Sequence, residues 1–197
     1  MKTLLAATAL ALTLAACSQE PTNTPSDVES SAPVAADAPP TAPVASATAA
    51  PGANDRVLTL EGLGALRVGQ AVPADSGWAE RGAQASDGCR TITSPEFPGV
   101  YGLVEGDMVR RITVGPRSTV KLIEGIGVGS SEAEVNAAFG GFGSEPHKYV
   151  EAPAKYLTAP NAASGDPALR FEIGKDGTVS AMHIGVEPQL RYVEGCS

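Results

Sequence analysis

Cysteine and histidine are the residue types in this sequence that could act as a nucleophile, a general base or a metal ligand. They are Cys17, Cys89, Cys196, His147 and His183. Their spacing contains no His-Glu-x-x-His or Cys-x-x-Cys motif. The sequence also lacks a Gly-Lys-Ser/Thr phosphate loop and a serine with glycine two residues away on each side. We therefore predict no catalytic residue, no metal site and no cofactor.

Cys89 has an alternative interpretation as a nucleophile, with His147 or His183 as its base. The protein would then be an envelope hydrolase with an unrecognised site. A catalytic cysteine needs an unpaired thiol, so this interpretation depends on the bonding state of Cys89. We interpret both histidines as structural, because His147 falls in a predicted exposed loop and His183 on a predicted strand.

The amino-terminal residues have the order of a bacterial export signal. A charged start and an apolar stretch over residues 4–14 lead through two alanines to Cys17. The sequence Leu-Ala-Ala-Cys that ends at Cys17 resembles the lipobox of bacterial lipoproteins. This resemblance implies that a signal peptide, residues 1–16, is removed and that Cys17 carries acyl chains, palmitate among them. The alternative is an ordinary secretory peptide in which Cys17 is incidental.

Localisation follows from the same resemblance. In enteric bacteria, a lipoprotein without Asp after the lipidated cysteine is sorted to the outer membrane, and Ser18 stands at that position. We expect an envelope protein held in the membrane through lipidated Cys17. The chain has 14 basic and 22 acidic residues, a net charge of −8. Without a basic patch, nucleic-acid binding is not expected.

Composition divides the mature chain into a tether and a folded part. Residues 17–56 contain no aromatic residue and are rich in Ala, Pro, Ser and Thr, which is typical of a disordered linker. Apolar and aromatic residues are available for a core only in residues 57–197, which we predict to form one domain.

Cys89 and Cys196 are the cysteines that remain when Cys17 is lipidated. An even number of cysteines in an oxidising compartment is typical of a disulfide. We predict a Cys89–Cys196 bond that fixes the carboxy terminus to the middle of the domain.

Several short blocks of sequence occur twice in the same order, which indicates an internal repeat. The paired blocks are 60–64 with 123–127, 68–70 with 128–130, 90–95 with 155–160, and 109–115 with 179–185. We predict two tandem units, residues 57–117 and 118–197.

Each unit is predicted to contain a helix and an antiparallel hairpin. Ser131 and Glu134 form a capping box pattern that begins a short helix. In the first unit, Pro73 suits an early helical position, with Trp78 as the apolar anchor. Alternating runs around Gly-Asp and Gly-Lys-Asp-Gly predict hairpins over 100–114 and 169–184. The predicted class is α+β, with one sheet of about six strands and the helices on one face.

The helix segment over residues 129–140 resembles that of the SmpA/OmlA small outer-membrane lipoproteins. The tandem unit over residues 57–185 resembles the fold of the β-lactamase inhibitor protein. These resemblances imply a protein-binding module that acts without catalysis.

Phe97 and Tyr101 lie near a proline-bounded loop and are candidates for partner contact, although ordinary packing is the alternative. The preferred hypothesis is a lipid-anchored envelope protein, not an enzyme, that binds another envelope protein. The second hypothesis is an inhibitor of a periplasmic or extracellular hydrolase, and the third is the hydrolase described above. A protruding Phe97 or Tyr101 would favour the inhibitor, whereas a cleft that collects histidines and carboxylates would favour the enzyme.

Overall fold

The alternation of apolar and polar residues in the second half of each unit produces an extended antiparallel sheet. The computed structural model describes residues 56–196, except Ala85 and Asp87. The signal peptide, Cys17 and all of the tether before Arg56 lie outside these residues. In chain order the elements are β1 (Val57–Leu58), β2 (Gly62–Leu63), β3 (Leu66–Arg67), β4 (Ala79–Glu80), β5 (Cys89–Thr93), β6 (Val100–Glu105), β7 (Met108–Val114), β8 (Lys121–Leu122), α1 (Glu132–Ala138), β9 (Gly143–Pro146), β10 (Lys155–Thr158), β11 (Ala168–Ile173) and β12 (Val179–Gly185), with single 3-10 turns at Ala162–Ser164 and Gln189–Arg191.

The main sheet consists of two four-stranded meanders that meet at their last strands. Its eight strands have the order β4-β5-β6-β7-β12-β11-β10-β9, and all neighbours are antiparallel. The central β7–β12 pair joins the two meanders, with Ile112 opposite Ile184 and Thr113 opposite His183. Two smaller pairs lie outside this sheet: β2 with β3, antiparallel, and β1 with β8, parallel.

One face of the sheet forms the hydrophobic core. Because side chains alternate along a strand, directly paired residues on neighbouring strands share a face. A row of such apolar residues crosses five strands: Leu157, Phe171, Met182, Val114 and Val100. All five are at most 3% exposed. The α1 residue Val135 belongs to the same core cluster.

The opposite face is polar but also largely covered. A row of directly paired polar residues crosses β10, β11, β12 and β7 on this face: Thr158, Arg170, His183 and Thr113. Each of them is at most 4% exposed. The chain after β12 includes Leu190, which is 1% exposed, and ends at a disulfide to β5. The polar face is therefore part of the interior rather than a solvated surface.

The predicted α+β class with two helix-plus-hairpin units is wrong. Among the described residues α1 is the one α-helix, and the protein is mostly sheet. A parallel pair, β1 with β8, also links the two parts of the chain, which the predicted arrangement did not contain. Residues 73–81, predicted to contain the first helix, instead form a loop and strand β4, and Asp75 and Gly77 in the loop have φ values of 59° and 73°. Those values lie outside the right-handed helical region.

The local signals for the second helix and for both hairpins were interpreted correctly. Ser131 caps α1, and both hydrogen bonds of the capping box with Glu134 are present. Both predicted hairpins form, as β6–β7 and β11–β12. Gly106 and Asp107 both have positive φ at the first hairpin turn, as a two-residue turn between twisted strands requires. Trp78 is buried as expected, but it stacks on Phe97 at a ring-centroid distance of 5.6 Å instead of anchoring a helix.

Gly185 provides a test of the central strand pair. A Cβ atom at this position would lie 2.4 Å from the carbonyl oxygen of Arg110 and 2.9 Å from Cα of Arg111. We expect Gly185→Ala to lower the free energy of unfolding by about 1–3 kcal/mol, because backbone atoms of β7 would have to move. Urea denaturation measures this change. Gly140→Ala is the control, since a Cβ there meets no atom within 4 Å. Equal stabilities of the two variants would contradict the expectation.

Candidate functional site

An apolar groove lies where β1 and β8 run side by side. Its volume is about 350 Å³. Leu58, Leu122 and Leu169, all buried, contribute to its lining together with Phe139 and Phe142. The two phenylalanine rings stack on each other at 5.6 Å, and each lies 5.8 Å from the core residue Phe171. The groove is thus an extension of the core that reaches the surface.

Two tight turns project apolar side chains beside this groove. Thr59 and Gly62 exchange backbone hydrogen bonds of 3.0 and 3.1 Å, so Leu60 and Glu61 occupy the tip of the first turn. In the second, the N–H of Gly125 donates to the carbonyl of Leu122 at 2.9 Å, which places Ile123 and Glu124 at the tip.

The apolar side chains at both tips are exposed to solvent. Leu60 is 41% exposed and Ile123 is 80% exposed. The repeated sequence of apolar residue, Glu and Gly therefore places two solvent-exposed apolar side chains against one groove. Large apolar side chains grouped in this way are typical of a binding surface.

The charged residues that line the groove are two carboxylates, Glu61 and Glu124. The hydrogen bond from the Thr59 hydroxyl is the main cause that lowers the pKa of Glu61, so this side chain is ionised at neutral pH. Arg67 donates its guanidinium hydrogen bonds to the backbone carbonyls of Gly64 and Leu66. In the described part of the chain, neither carboxylate forms an ion pair.

A second cluster of chemically capable side chains lies on the polar face of the sheet. The carboxylate of Glu172 faces two imidazoles: Nε2 of His183 at 3.0 Å and Nε2 of His147 at 3.6 Å. Nδ1 of His183 lies 2.9 Å from the Thr113 hydroxyl. Nδ1 of His147 accepts hydrogen bonds from the backbone N–H groups of Tyr149 and Val150. All four ring nitrogens are therefore directed at protein groups.

Electrostatics determine the protonation of this cluster. Burial is the main cause that lowers the pKa of His183, so its ring is neutral at pH 7. Its Nε2–H then donates to Glu172, and its Nδ1 accepts from Thr113. Burial opposes the ionisation of Glu172. The hydrogen bond from His183 is the largest effect in the opposite direction, and with the contribution of His147 it outweighs burial and holds the Glu172 pKa below its usual value.

Cationic groups extend the cluster toward the edge of the sheet. The Tyr156 ring lies between the His147 ring, with centroids 4.6 Å apart, and the Arg170 guanidinium, 4.0 Å from its centroid. Glu145 on β9 pairs with Arg170 at 3.6 Å and with Arg191 at 2.6 Å. Because Arg191 follows β12, this network binds the carboxy-terminal segment to the sheet.

The carboxy-terminal segment is also held at its centre and at its end. Arg111, which is 1% exposed, donates to the carbonyls of Gln189 and Tyr192. Cys196 is joined to Cys89, with their Cα atoms 5.4 Å apart. The predicted pairing of these cysteines at disulfide distance is confirmed. A disulfide-bonded Cys89 has no thiol to act as a nucleophile.

This polar cluster is suited to a structural role. The side chains of His147 and Glu172 are 11% and 21% exposed, and that of His183 is 5% exposed. Both nitrogens of each imidazole contact protein groups. Within residues 56–196 as described, no group of three or more His, Cys, Asp or Glu side chains could hold a metal ion.

The predicted contact residues lie away from the groove. Phe97 is 4% exposed and stacked on Trp78, so it is a core residue rather than a contact. Tyr101 is half-buried on β6. His147, predicted in an exposed loop, instead faces the carboxylate of Glu172. Sequence reasoning identified the repeated Leu60 and Ile123 blocks but not their role, since only the β1–β8 pairing brings them together.

Comparison with known proteins finds no match among protein-family models, curated proteins or solved structures. No helix in the described part of the chain has the length and apolar character needed to cross a membrane.

The His183 environment predicts loss of stability in acid. Because burial lowers its pKa, the unfolded chain takes up a proton near pH 6.5 that the folded protein does not bind. Stability should therefore fall as pH decreases below about 6.5, by up to about 1.4 kcal/mol per pH unit for this proton. The pKa of Glu172 is also lowered, so the unfolded chain binds a proton at this carboxylate first, and stability should fall further below about pH 4.5.

Urea denaturation from about pH 7.5 to pH 5 measures this slope. His183→Gln is the matched variant, because an amide can still donate to Glu172 and accept from Thr113 but does not titrate. Its slope should be flatter than that of the unsubstituted protein. Identical slopes in the two proteins would contradict the assignment.

Proposed function

We propose that this chain is a lipid-anchored, non-enzymatic protein of the bacterial cell envelope whose folded part binds another envelope protein through the groove beside Leu60 and Ile123. The single observation that carries the binding role is the pair of exposed apolar side chains at this apolar groove. Exposed apolar side chains grouped around an apolar groove are typical of protein-binding surfaces. The outer membrane is the proposed location.

The envelope location is supported by two independent features. The Leu-Ala-Ala-Cys sequence ending at Cys17 resembles a lipobox. The Cys89–Cys196 pair is at disulfide distance, and disulfides persist in exported proteins. Neither feature depends on the groove.

The absence of catalysis is supported by the geometry of the Glu172 cluster. This cluster does collect two histidines and carboxylates, the arrangement that would favour an enzyme. Its imidazole nitrogens face protein groups, however, and the carboxy-terminal segment is bound across the same face of the sheet. A protruding Phe97 or Tyr101 would favour the inhibitor alternative, but Phe97 is 4% exposed and Tyr101 is half-buried on β6. We therefore favour a binding protein.

Lipidation is tested at Cys17. We expect Cys17→Ser to leave the membrane fraction or to accumulate as the uncleaved precursor, because the acyl chains are its proposed attachment. Labelling with a palmitate analogue should mark the unsubstituted protein and not this variant. Cys196→Ser is the control and should keep the label. An unlabelled wild type that still sediments with membranes would exclude the anchor.

The groove is tested by photo-crosslinking in the membranes of the native organism. A photoreactive amino acid at position 60 should form an adduct with another protein. We expect Ile123→Asp to decrease the yield of this adduct by about tenfold, because it puts a charge into the apolar contact. Ile123 is 80% exposed, so the fold should tolerate the change.

The control for this experiment is Met108→Asp. Met108 has the same 41% exposure as Leu60 but does not line the groove. It should leave the adduct yield unchanged. If no protein adduct forms at position 60, or if both variants reduce it equally, the groove is not the binding site.

A further inference from the structure

The charges around the groove restrict what can occupy it. We infer that the partner is a protein segment that inserts an apolar side chain into the groove and pairs neighbouring Lys or Arg residues with Glu61 and Glu124. This inference rests on the proposed function and adds the chemistry of the partner to it.

The two carboxylates at the groove, Glu61 and Glu124, form no ion pair among the described residues, and both are exposed. Arg67 donates its guanidinium hydrogen bonds to backbone carbonyls, and its charge is a minor cause of the lowered pKa of Glu61, after the Thr59 hydrogen bond. Complementary charge on a partner increases the association rate and selects the correct register. A basic residue beside the inserted apolar side chain supplies that charge.

A lipid acyl chain fits these features less well than a protein segment. The groove, at about 350 Å³, is near the lower end of the range of ligand pockets, about 300–1,000 Å³. This size suits one or two bulky side chains of a partner. A fatty acid or phospholipid would also bring its carboxylate or phosphate next to two carboxylates, which is electrostatically unfavourable.

A second copy of this chain is disfavoured for a related reason. A two-fold interface places the same patch of each copy against the other. Glu61 and Glu124 of both copies would then meet, in a chain whose net charge is −8. Like charges opposed across an interface weaken association.

Charge reversal at the groove tests this inference in the full-length protein. The photoreactive group at position 60 is combined with Glu61→Lys and Glu124→Lys. We expect the yield of the protein adduct to fall on the order of tenfold, because two attractive contacts become repulsive. Raising the salt concentration in isolated membranes should decrease the yield of the unsubstituted protein as well.

The matched control has the same change in net charge away from the groove. Glu96→Lys with Glu151→Lys alters two surface carboxylates that do not line it. Adduct yield should be unchanged in this control. Glu61→Gln with Glu124→Gln is a milder second variant that keeps the side-chain shape, and it should lower the yield by about threefold. Thermal unfolding verifies that all three variants are folded.

Mass spectrometry of the crosslinked peptide provides the decisive identification. A partner segment with Lys or Arg next to the crosslinked residue, together with the charge-reversal effect, supports the inference. A segment without basic residues, or equal yields in the groove and control variants, overturns the inference and leaves the proposed function standing. An adduct with an acyl chain or with another copy of this chain also overturns it. If position 60 forms no protein adduct at all, the proposed function fails with it.

Discussion

The antiparallel pairing of β7 with β12 is the contact on which the rest of the structure depends. Each strand is the last of its meander, so their pairing joins two four-stranded sheets into one and removes two open edges. The pairing requires close approach at Gly185, where a side chain would collide with the backbone of Arg110. The same register places Thr113 directly against His183. The β7–β12 pairing therefore fixes which residues of the two meanders lie side by side on each face of the sheet.

On the polar face, this arrangement buries side chains that would otherwise be solvated. Arg111, Thr113, Arg170 and His183 are buried because strands that cross the whole domain are covered on both sides. Buried polar groups destabilise a fold unless they are paired. The Arg111 guanidinium donates hydrogen bonds to carbonyls of the carboxy-terminal segment, and Nε2–H of His183 donates to Glu172. The disulfide, Arg111 and the Glu145 ion pairs thus serve the same purpose, which is to keep that segment in place.

The groove differs from the polar cluster in the partners of its charged groups. In the cluster, the carboxylates and the ring nitrogens contact other protein groups, although four buried atoms of the same face have no hydrogen-bond partner in the described part of the chain: Nε of Arg111 and of Arg170, Oγ1 of Thr158 and the Tyr156 hydroxyl. At the groove, Leu60 and Ile123 remain exposed, and neither Glu61 nor Glu124 forms an ion pair within the described residues. Apolar and acidic groups that a fold does not use internally are available to a partner. This contrast is why we assign binding to the groove and a structural role to the cluster.

The sequence by itself determined the features that depend on neighbouring residues: the capped helix at Ser131 and the two hairpin turns. The pairing of Cys89 with Cys196, 107 residues apart, followed instead from the number of cysteines in an exported chain. Sequence reasoning failed for residues 73–81, where a helix was predicted but a loop with positive φ values and strand β4 form, and Trp78 packs on Phe97. Only the tertiary structure could bring Leu60 to Ile123, or Glu172 to its two histidines. Those contacts join distant segments through strand pairing, and the register of that pairing is decided by the packing of the whole sheet.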